Sequence, residues 1–148
     1  MIPKHSPVLA LLAITILALS SGCTQPKELD VDLHPVHGKL TLDGQPAAGA
    51  TIKFIPVKGS HAPNNKYRRI PAASVGENGE FELSFDGIGD GAPLGEYKLV
   101  AFKLQAPEGG GLPFDHFRGK YLDENNPITT ITIVEGDNDL GSIELSSR

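Results

Sequence analysis

The feature that most constrains the fold is a series of short segments in which apolar and polar residues alternate. Glycine, proline and Asp-Gly or Asn-Gly turn sequences separate these segments. An alternation with a period of two places the apolar side chains on one face of a β-strand, whereas a helix requires a period near 3.6. No stretch after Cys23 sustains the helical period. The sequence therefore predicts an all-β domain.

Seven segments carry the strand pattern, and the cleanest alternation follows the turn sequence Glu77-Asn78-Gly79, which predicts a hairpin there. Residues 57–69, 86–94 and 103–127 are predicted to be loops. Seven short strands in about 110 residues predict a seven-stranded Greek-key β-sandwich, in which two sheets pack face to face. The predicted strands are 36–42, 50–55, 71–75, 80–85, 95–102, 129–134 and 140–145.

The alternation also predicts which side chains form the core. Burying one large apolar side chain stabilises a fold by about 1.5–3 kcal/mol, so fourteen of them suffice without a disulfide. The predicted core residues are Val36, Leu40, Leu42, Ile52, Phe54, Phe81, Leu83, Phe85, Tyr97, Leu99, Ile131, Ile133, Ile143 and Leu145.

The amino-terminal residues have the parts of an export signal. Lys4 and the amino terminus are positive, residues 8–19 are apolar, and residues 20–22 are small. The apolar run of 12 residues is shorter than the roughly 20 that a membrane-spanning helix needs. Cys23, the only cysteine of the chain, follows directly.

Leu19 with Gly22-Cys23 resembles the lipobox of bacterial lipoproteins, although Ser20 stands where that family has leucine. The resemblance implies that residues 1–22 are a signal peptide and that Cys23 becomes the acylated first residue. It also implies a location in the cell envelope, and Thr24, in place of the aspartate that retains some lipoproteins at the inner membrane, favours the outer membrane. The alternative is an ordinary signal peptide that leaves a free thiol. Because Cys23 has no disulfide partner in the chain, lipidation is the favoured interpretation.

Residues 23–35 are predicted to tether the domain, residues 36–148, to the membrane across at most about 40 Å. After residues 1–22 are removed, 12 basic residues remain against 18 acidic ones, a net charge of −6. This balance excludes a nucleic-acid partner, which requires a basic surface. Tryptophan is absent, so an extended stacking platform for sugar rings or bases is not expected.

Three segments of the domain, 36–54, 77–81 and 93–99, resemble carboxypeptidase regulatory-like domains, which share the transthyretin (prealbumin) β-sandwich. The resemblance implies a non-catalytic folding or interaction module. Tyr97 is expected to bury its ring and to direct its hydroxyl to a loop carbonyl, as in a tyrosine corner. The residues expected to shape the turns and this corner are Gly44, Pro46, Gly49, Gly79, Gly95 and Tyr97.

One predicted loop concentrates aromatic and cationic residues. It is interpreted either as a contact patch on a partner or as a flap packed on the sandwich. Its residues are Phe114, His116, Phe117, Arg118 and Tyr121.

Metal sites have weaker support. His34 and His37 have a spacing seen in metal sites but no companion ligands. Four turn aspartates could bind calcium if one end of the sandwich gathered them, but they are also ordinary turn formers. These are Asp86, Asp90, Asp137 and Asp139.

Catalysis has no supporting motif. Transthyretin-like hydrolases end in Tyr-Arg-Gly-Ser, whereas this chain ends in Leu145-Ser146-Ser147-Arg148, and no Gly-x-Ser-x-Gly sequence is present. The sequence therefore predicts a non-enzymatic envelope module without a cofactor. Its expected partners are the membrane, through Cys23, and an envelope protein or polysaccharide. A carbohydrate- or calcium-binding adhesion module and a transthyretin-like hydrolase remain as alternatives.

Overall fold

The computed structural model describes residues 31–58 and 69–148, and Val31–Arg148 forms one compact unit. Cys23, the predicted signal peptide and most of the predicted tether lie outside the described residues. Within the described ranges every regular element is a strand, and no helix is long and apolar enough to cross a membrane. The strands are β1 (Val36–Leu42), β2 (Gln45–Pro46), β3 (Thr51–Pro56), β4 (Ala72–Ser74), β5 (Glu80–Glu82), β6 (Gly95–Phe102), β7 (Leu104–Gln105), β8 (Phe114–Asp115), β9 (Thr129–Ile133) and β10 (Asn138–Leu145).

Strand β1 organises the first sheet. The last strand, β10, pairs with it in parallel along one side. On the other side β5 pairs with the first half of β1 and β2 with its end, both antiparallel. The second sheet has the order β4-β3-β6-β9, with all pairs antiparallel. Strands β7 and β8 form a separate two-stranded ribbon.

The two four-stranded sheets share one apolar core, which is consistent with a β-sandwich and confirms the all-β prediction. Leu40 and Leu145 from the first sheet belong to the same buried cluster as Phe54 and Leu99 from the second. Eleven of the fourteen predicted core side chains are buried, and the other three are partly buried and pack against the core. Those three are Leu42, Ile131 and Ile143.

The prediction of a hairpin around Glu77-Asn78-Gly79 is correct only locally. The Gly76 N–H donates to the Glu80 carbonyl, and Ala72 and Ser84 exchange backbone hydrogen bonds in the same antiparallel register, but β4 and β5 form no continuous ladder with each other. A turn does form there, with the Gly79 N–H donating to the carbonyl of Gly76. However, β4 before the turn pairs with β3 of the second sheet, and β5 after it pairs with β1 of the first. The turn therefore carries the chain from one sheet to the other. A turn sequence encodes a reversal of direction, whereas the partner strand is decided by long-range pairing.

Two further differences concern element bounds. The strand predicted for residues 80–85 ends at Glu82, and Ser84 keeps only an isolated bridge to Ala72. The loop predicted for 103–127 contains the ribbon of β7 and β8. These two-residue strands are too short for any periodic signal.

The glycines and tyrosine expected to shape the turns behave as predicted. Asp43 and Gly44 both have positive φ, at 49° and 78°, and join β1 to β2 as a two-residue hairpin loop. The hydroxyl of the fully buried Tyr97 donates to the carbonyl of Pro93 at 2.9 Å, and burial raises the pKa of this hydroxyl. The remaining positive-φ glycines of the set are Gly49, Gly79 and Gly95, and Pro46 lies in β2 against Gly79.

The strands define two ends of the domain. At the proximal end, where the chain enters, His34 exchanges backbone hydrogen bonds with Ala92, and β6 begins. At the distal end, β1 finishes at Leu42 and β6 finishes at Phe102. A seven-residue strand such as β1 spans about 20 Å, so the ribbon after Phe102 starts far from the point where the chain enters.

Candidate functional site

The aromatic and cationic loop at the distal end is organised by Asp115. One oxygen of its carboxylate accepts the backbone N–H groups of Lys103 (2.8 Å) and Phe117 (3.1 Å), and the other accepts that of Gly119 (2.8 Å). Partial burial opposes ionisation of the carboxyl, but these three donors outweigh burial and hold the Asp115 pKa below its ordinary value. Asp115 therefore fixes the loop as an ionised acceptor, a role that its position in the sequence did not reveal.

The two phenylalanines of this loop have opposite environments. Phe117 is 7% exposed and belongs to the core, and its ring meets that of Tyr121 edge to face at 5.8 Å between centroids. Phe117 is thus packed on the sandwich, as one of the two interpretations expected, and it also lines the groove described below. Phe114 is 50% exposed in β8. Leu104 and Leu112, in and beside the ribbon, are exposed as well.

Arg118 adopts a backbone conformation that is unusual for a side chain of its size. Its φ is 55°, and its N–H donates to the carbonyl of Asp115 at 2.9 Å. A non-glycine residue in this left-handed region costs of order 1 kcal/mol. The side chain is exposed, and no described residue pairs with its guanidinium. The loop therefore presents an unneutralised cation on a strained turn.

The last residues of the chain lie against this loop. Lys120 Nζ donates to the carbonyl oxygens of Ser146 (2.6 Å) and Arg148, and its ammonium also faces the Tyr121 ring. The Ser147 N–H donates to the Asp43 carboxylate at 3.1 Å. That hydrogen bond lowers the pKa of Asp43.

These contacts enclose a groove of about 370 Å³, here called the Arg118 groove. Its volume falls in the range of about 300–1,000 Å³ typical of small-molecule sites. The lining combines two permanent cations with aromatic rings and serine residues, and no carboxylate lines it among the described residues. The lining residues are Leu42, His116, Phe117, Arg118, Lys120, Tyr121, Ser146 and Ser147.

Two larger and more open grooves flank β5 and differ in charge. Glu80 and Glu82 line both of them, and Lys39, the only cation in their lining among the described residues, pairs with Glu80 at 3.4 Å. Of these three concavities the Arg118 groove is the cationic one, although the protein as a whole is acidic.

The two histidines considered as metal ligands have separate partners. His37 Nε2 lies 3.1 Å from Asp137, and Nδ1 lies 3.7 Å from Asp139. The hydrogen bond to Asp137 raises the His37 pKa. His34 Nδ1 instead accepts the N–H of Gly136, and its buried Nε2 has no hydrogen-bond partner within the described ranges. In the described ranges no three or more His, Cys, Asp or Glu side chains are arranged to hold a metal ion.

The aspartates considered for calcium serve local structure. The Asp90 carboxylate accepts the backbone N–H groups of Phe85, Asp86 and Gly87, and closes its own turn. Asp86 forms an ion pair with Arg69. Asp137 and Asp139 are engaged with His37. Each aspartate thus has a protein partner, as expected of turn formers.

Comparison with known proteins adds little. No protein-family model matches the sequence, and no curated protein matches it. One solved structure that resembles the chain is a 9R-lipoxygenase from Cyanothece PCC8801, with a TM-score of 0.41 and 14% identity over 95% of this chain and 21% of the lipoxygenase. The chain therefore spans about a fifth of that enzyme, and at this TM-score the likeness carries no argument about function. The carboxypeptidase regulatory-like resemblance stays a prediction.

Sequence reasoning named four of the groove residues, His116, Phe117, Arg118 and Tyr121, but not the carboxyl-terminal wall. In the sequence, the Asp43-Gly44 pair indicates only a turn, and Ser146 and Ser147 indicate only that a hydrolase motif is missing. No local signal links them to the loop, because the contacts of Lys120, Tyr121 and Asp43 with the last residues join positions 25 to 104 residues apart.

Proposed function

We propose that this protein is a lipid-anchored, non-catalytic module of the bacterial cell envelope, attached to a membrane through acylated Cys23. Its domain binds an envelope polymer or protein through the distal end. We also propose that the two sheets, apart from the two-residue strand β2, follow the seven-stranded Greek-key topology of transthyretin-like domains. The buried hydrogen bond from Tyr97 to Pro93 supports this topology, because a tyrosine corner is a recurrent feature of such sandwiches.

The observation that carries the proposal is the separation between the point where the chain enters the domain and the Arg118 groove. The chain enters at the proximal end through His34, and the groove lies at the distal end beside Leu42. A domain held by residues that precede Val31 is free to present its distal end away from the membrane. The exposed Phe114, Leu104 and Leu112 lie in or beside the ribbon that starts at this end, and exposed apolar groups of this kind mark contact surfaces.

Membrane fractionation tests the anchor. Wild-type protein should sediment with membranes and require detergent, not high salt, for release, because several acyl chains hold far more strongly than one. The Cys23→Ala variant cannot be acylated at that position. Its processing to an acylated chain that begins at residue 23 should therefore fail. Wild-type protein that is released by salt alone, or that fractionates as the variant does, would contradict the proposal.

A further inference from the structure

We propose that the Arg118 groove is a binding site for an anionic saccharide, in which a carboxylate or phosphate group of the sugar pairs with Arg118 and Lys120. The inference deepens the proposed function and rests on it for the source of the ligand, a polymer of the cell envelope. It names the chemistry that the groove recognises.

The first argument is the count of unused donors. A guanidinium offers five N–H donors in a fork that matches carboxylate and phosphate oxygens, and no described residue occupies those of Arg118. An ammonium offers three donors, and Lys120 uses two of them on the carbonyls of Ser146 and Arg148. The Lys120 ammonium also faces the Tyr121 ring, so most of the unused donors in the groove belong to Arg118.

The second argument is that no described carboxylate serves as a counter-ion for Arg118. Asp115 is the carboxylate nearest to Arg118 in the sequence. Both of its oxygens accept backbone N–H groups, those of Lys103, Phe117 and Gly119. Asp43, at the opposite wall, accepts the N–H of Ser147. Asp43 and the main-chain oxygens of Ser146 and Arg148 offset part of the Lys120 charge. Arg118 is therefore the cation that an incoming anion meets without a paired carboxylate among the described residues.

The third argument is the backbone of Arg118. Its positive φ is a conformation that glycine or asparagine would adopt more easily, yet the position holds arginine. The Asp115 hydrogen bonds to Phe117 and Gly119 on either side hold the turn in place. Strained residues that the surroundings hold in this way cluster at binding sites.

The saccharide part of the assignment comes from the rest of the lining. The Ser146 and Ser147 hydroxyls supply polar atoms that can exchange hydrogen bonds with sugar hydroxyls. The Tyr121 hydroxyl, which bonds to both main-chain groups of Ser146, keeps one lone pair that can accept a further hydrogen bond. Leu42 and the aromatic rings of Phe117 and Tyr121 supply an apolar wall for the C–H face of a sugar ring. A mostly apolar wall with a few placed polar groups is the usual composition of a small-ligand site.

Calorimetric titration of the full chain, purified in detergent, tests the proposal with three probes. Oligogalacturonate carries carboxylates, glucose 6-phosphate carries a phosphate, and a maltooligosaccharide is neutral. We expect saturable binding of at least one anionic probe and none of the neutral one, and the better anionic probe identifies the group recognised. Arg118→Gln should weaken that binding at least tenfold, and so should Arg118→Gly, which suits the positive φ and therefore preserves the fold.

Lys58→Gln is the matched control, because Lys58 is an exposed cation outside the groove, next to the proximal contact of Val57 with Glu96. It should leave the affinity unchanged. The proposal is overturned if neither anion binds saturably, if Lys58→Gln weakens binding as much as Arg118→Gln, or if an oligoglutamate peptide binds the groove as tightly as the sugars. The intact mass of the same preparation reports acylation of Cys23, so failure of the groove and failure of the anchor are distinguishable.

Discussion

Tyr121 and Ser146 exchange two hydrogen bonds: the tyrosine hydroxyl donates to the Ser146 carbonyl at 2.6 Å and accepts the Ser146 N–H at 2.8 Å. One side chain thus satisfies both main-chain groups of a residue that directly follows the last strand. Because the Tyr121 ring also packs on the buried Phe117, the end of β10 is coupled to the distal loop.

Tyr121→Phe should release the residues after β10 without unfolding the domain. The Ser146 amide loses its acceptor, so its hydrogen exchange should accelerate, whereas exchange in β1 and β6 should not change. Both hydrogen bonds are exposed to water, so the loss in unfolding free energy should be about 1 kcal/mol or less. Hydrogen exchange measured by NMR for each residue tests this prediction. An unchanged exchange rate at Ser146 would show that the two hydrogen bonds of Tyr121 do not hold the residues after β10 in place.

Tyr97→Phe should lower the unfolding free energy by more than Tyr121→Phe does. The Tyr97 hydroxyl is buried, and its removal leaves the Pro93 carbonyl without that donor in a buried turn. An unsatisfied buried acceptor costs about 1–3 kcal/mol. Urea unfolding of the two variants, measured side by side, gives the comparison; equal losses would argue against a structural tyrosine corner.

The distal loop should weaken in acid because of Asp115. Its pKa is lowered in the folded protein, so the folded state binds a proton less readily than the unfolded state does. The stabilisation from Asp115 is therefore present above its ordinary pKa of 3.8 and is lost as the pH falls below that value. The protection of the Phe117 and Gly119 amides, whose N–H groups bond to this carboxylate, should fall over the same range when each exchange rate is compared with the intrinsic rate at that pH.

Asp115→Asn provides the control for this effect. The amide keeps one acceptor oxygen but cannot ionise, so the variant should lose about 1–2 kcal/mol at neutral pH and should not show the acid-dependent loosening of this loop. A variant loop that still loosens in acid as the wild type does would assign the effect to another carboxylate.

Gly91→Ala should disturb the proximal end where the chain enters. An added Cβ would lie 1.9 Å from the His34 carbonyl oxygen, at a φ of 90°. Gly44→Ala is the matched control, since its φ is 78° and nothing lies within 4 Å of the added carbon. The unfolding free energy of the control should fall by about 1–2 kcal/mol, from backbone strain alone. Gly91→Ala should lower the unfolding free energy, measured in urea, by clearly more than the control does. Similar decreases for the two variants would mean that the backbone at His34 moves away from the added carbon without destabilising the fold.

The sequence was sufficient to predict the seven strands of three or more residues and the core, because both depend on local alternation. Leu40, Phe54 and Leu99 lie where a period of two places them. The Asp43-Gly44 turn was also predictable, since its two positive φ angles favour those residues.

Pairing between distant strands was not predictable from one sequence. The parallel alignment of β1 with β10 joins residues about a hundred positions apart, and its register shifts between His37 and Lys39. The chain passes from the second sheet to the first between β4 and β5, and this also depends on which distant strand each of them pairs with. The candidate site was predicted only in part for this reason: its loop is local, but its second wall, Ser146 and Ser147, is brought in by β10.

The intact mass of the mature protein, with sequencing of its amino-terminal peptide, tests the central claim most directly. We predict that the chain begins at Cys23 and that this residue carries a diacylglyceryl group. A polypeptide that retains residues 1–22, or one with an unmodified thiol at Cys23, would contradict the account of a membrane-anchored envelope module.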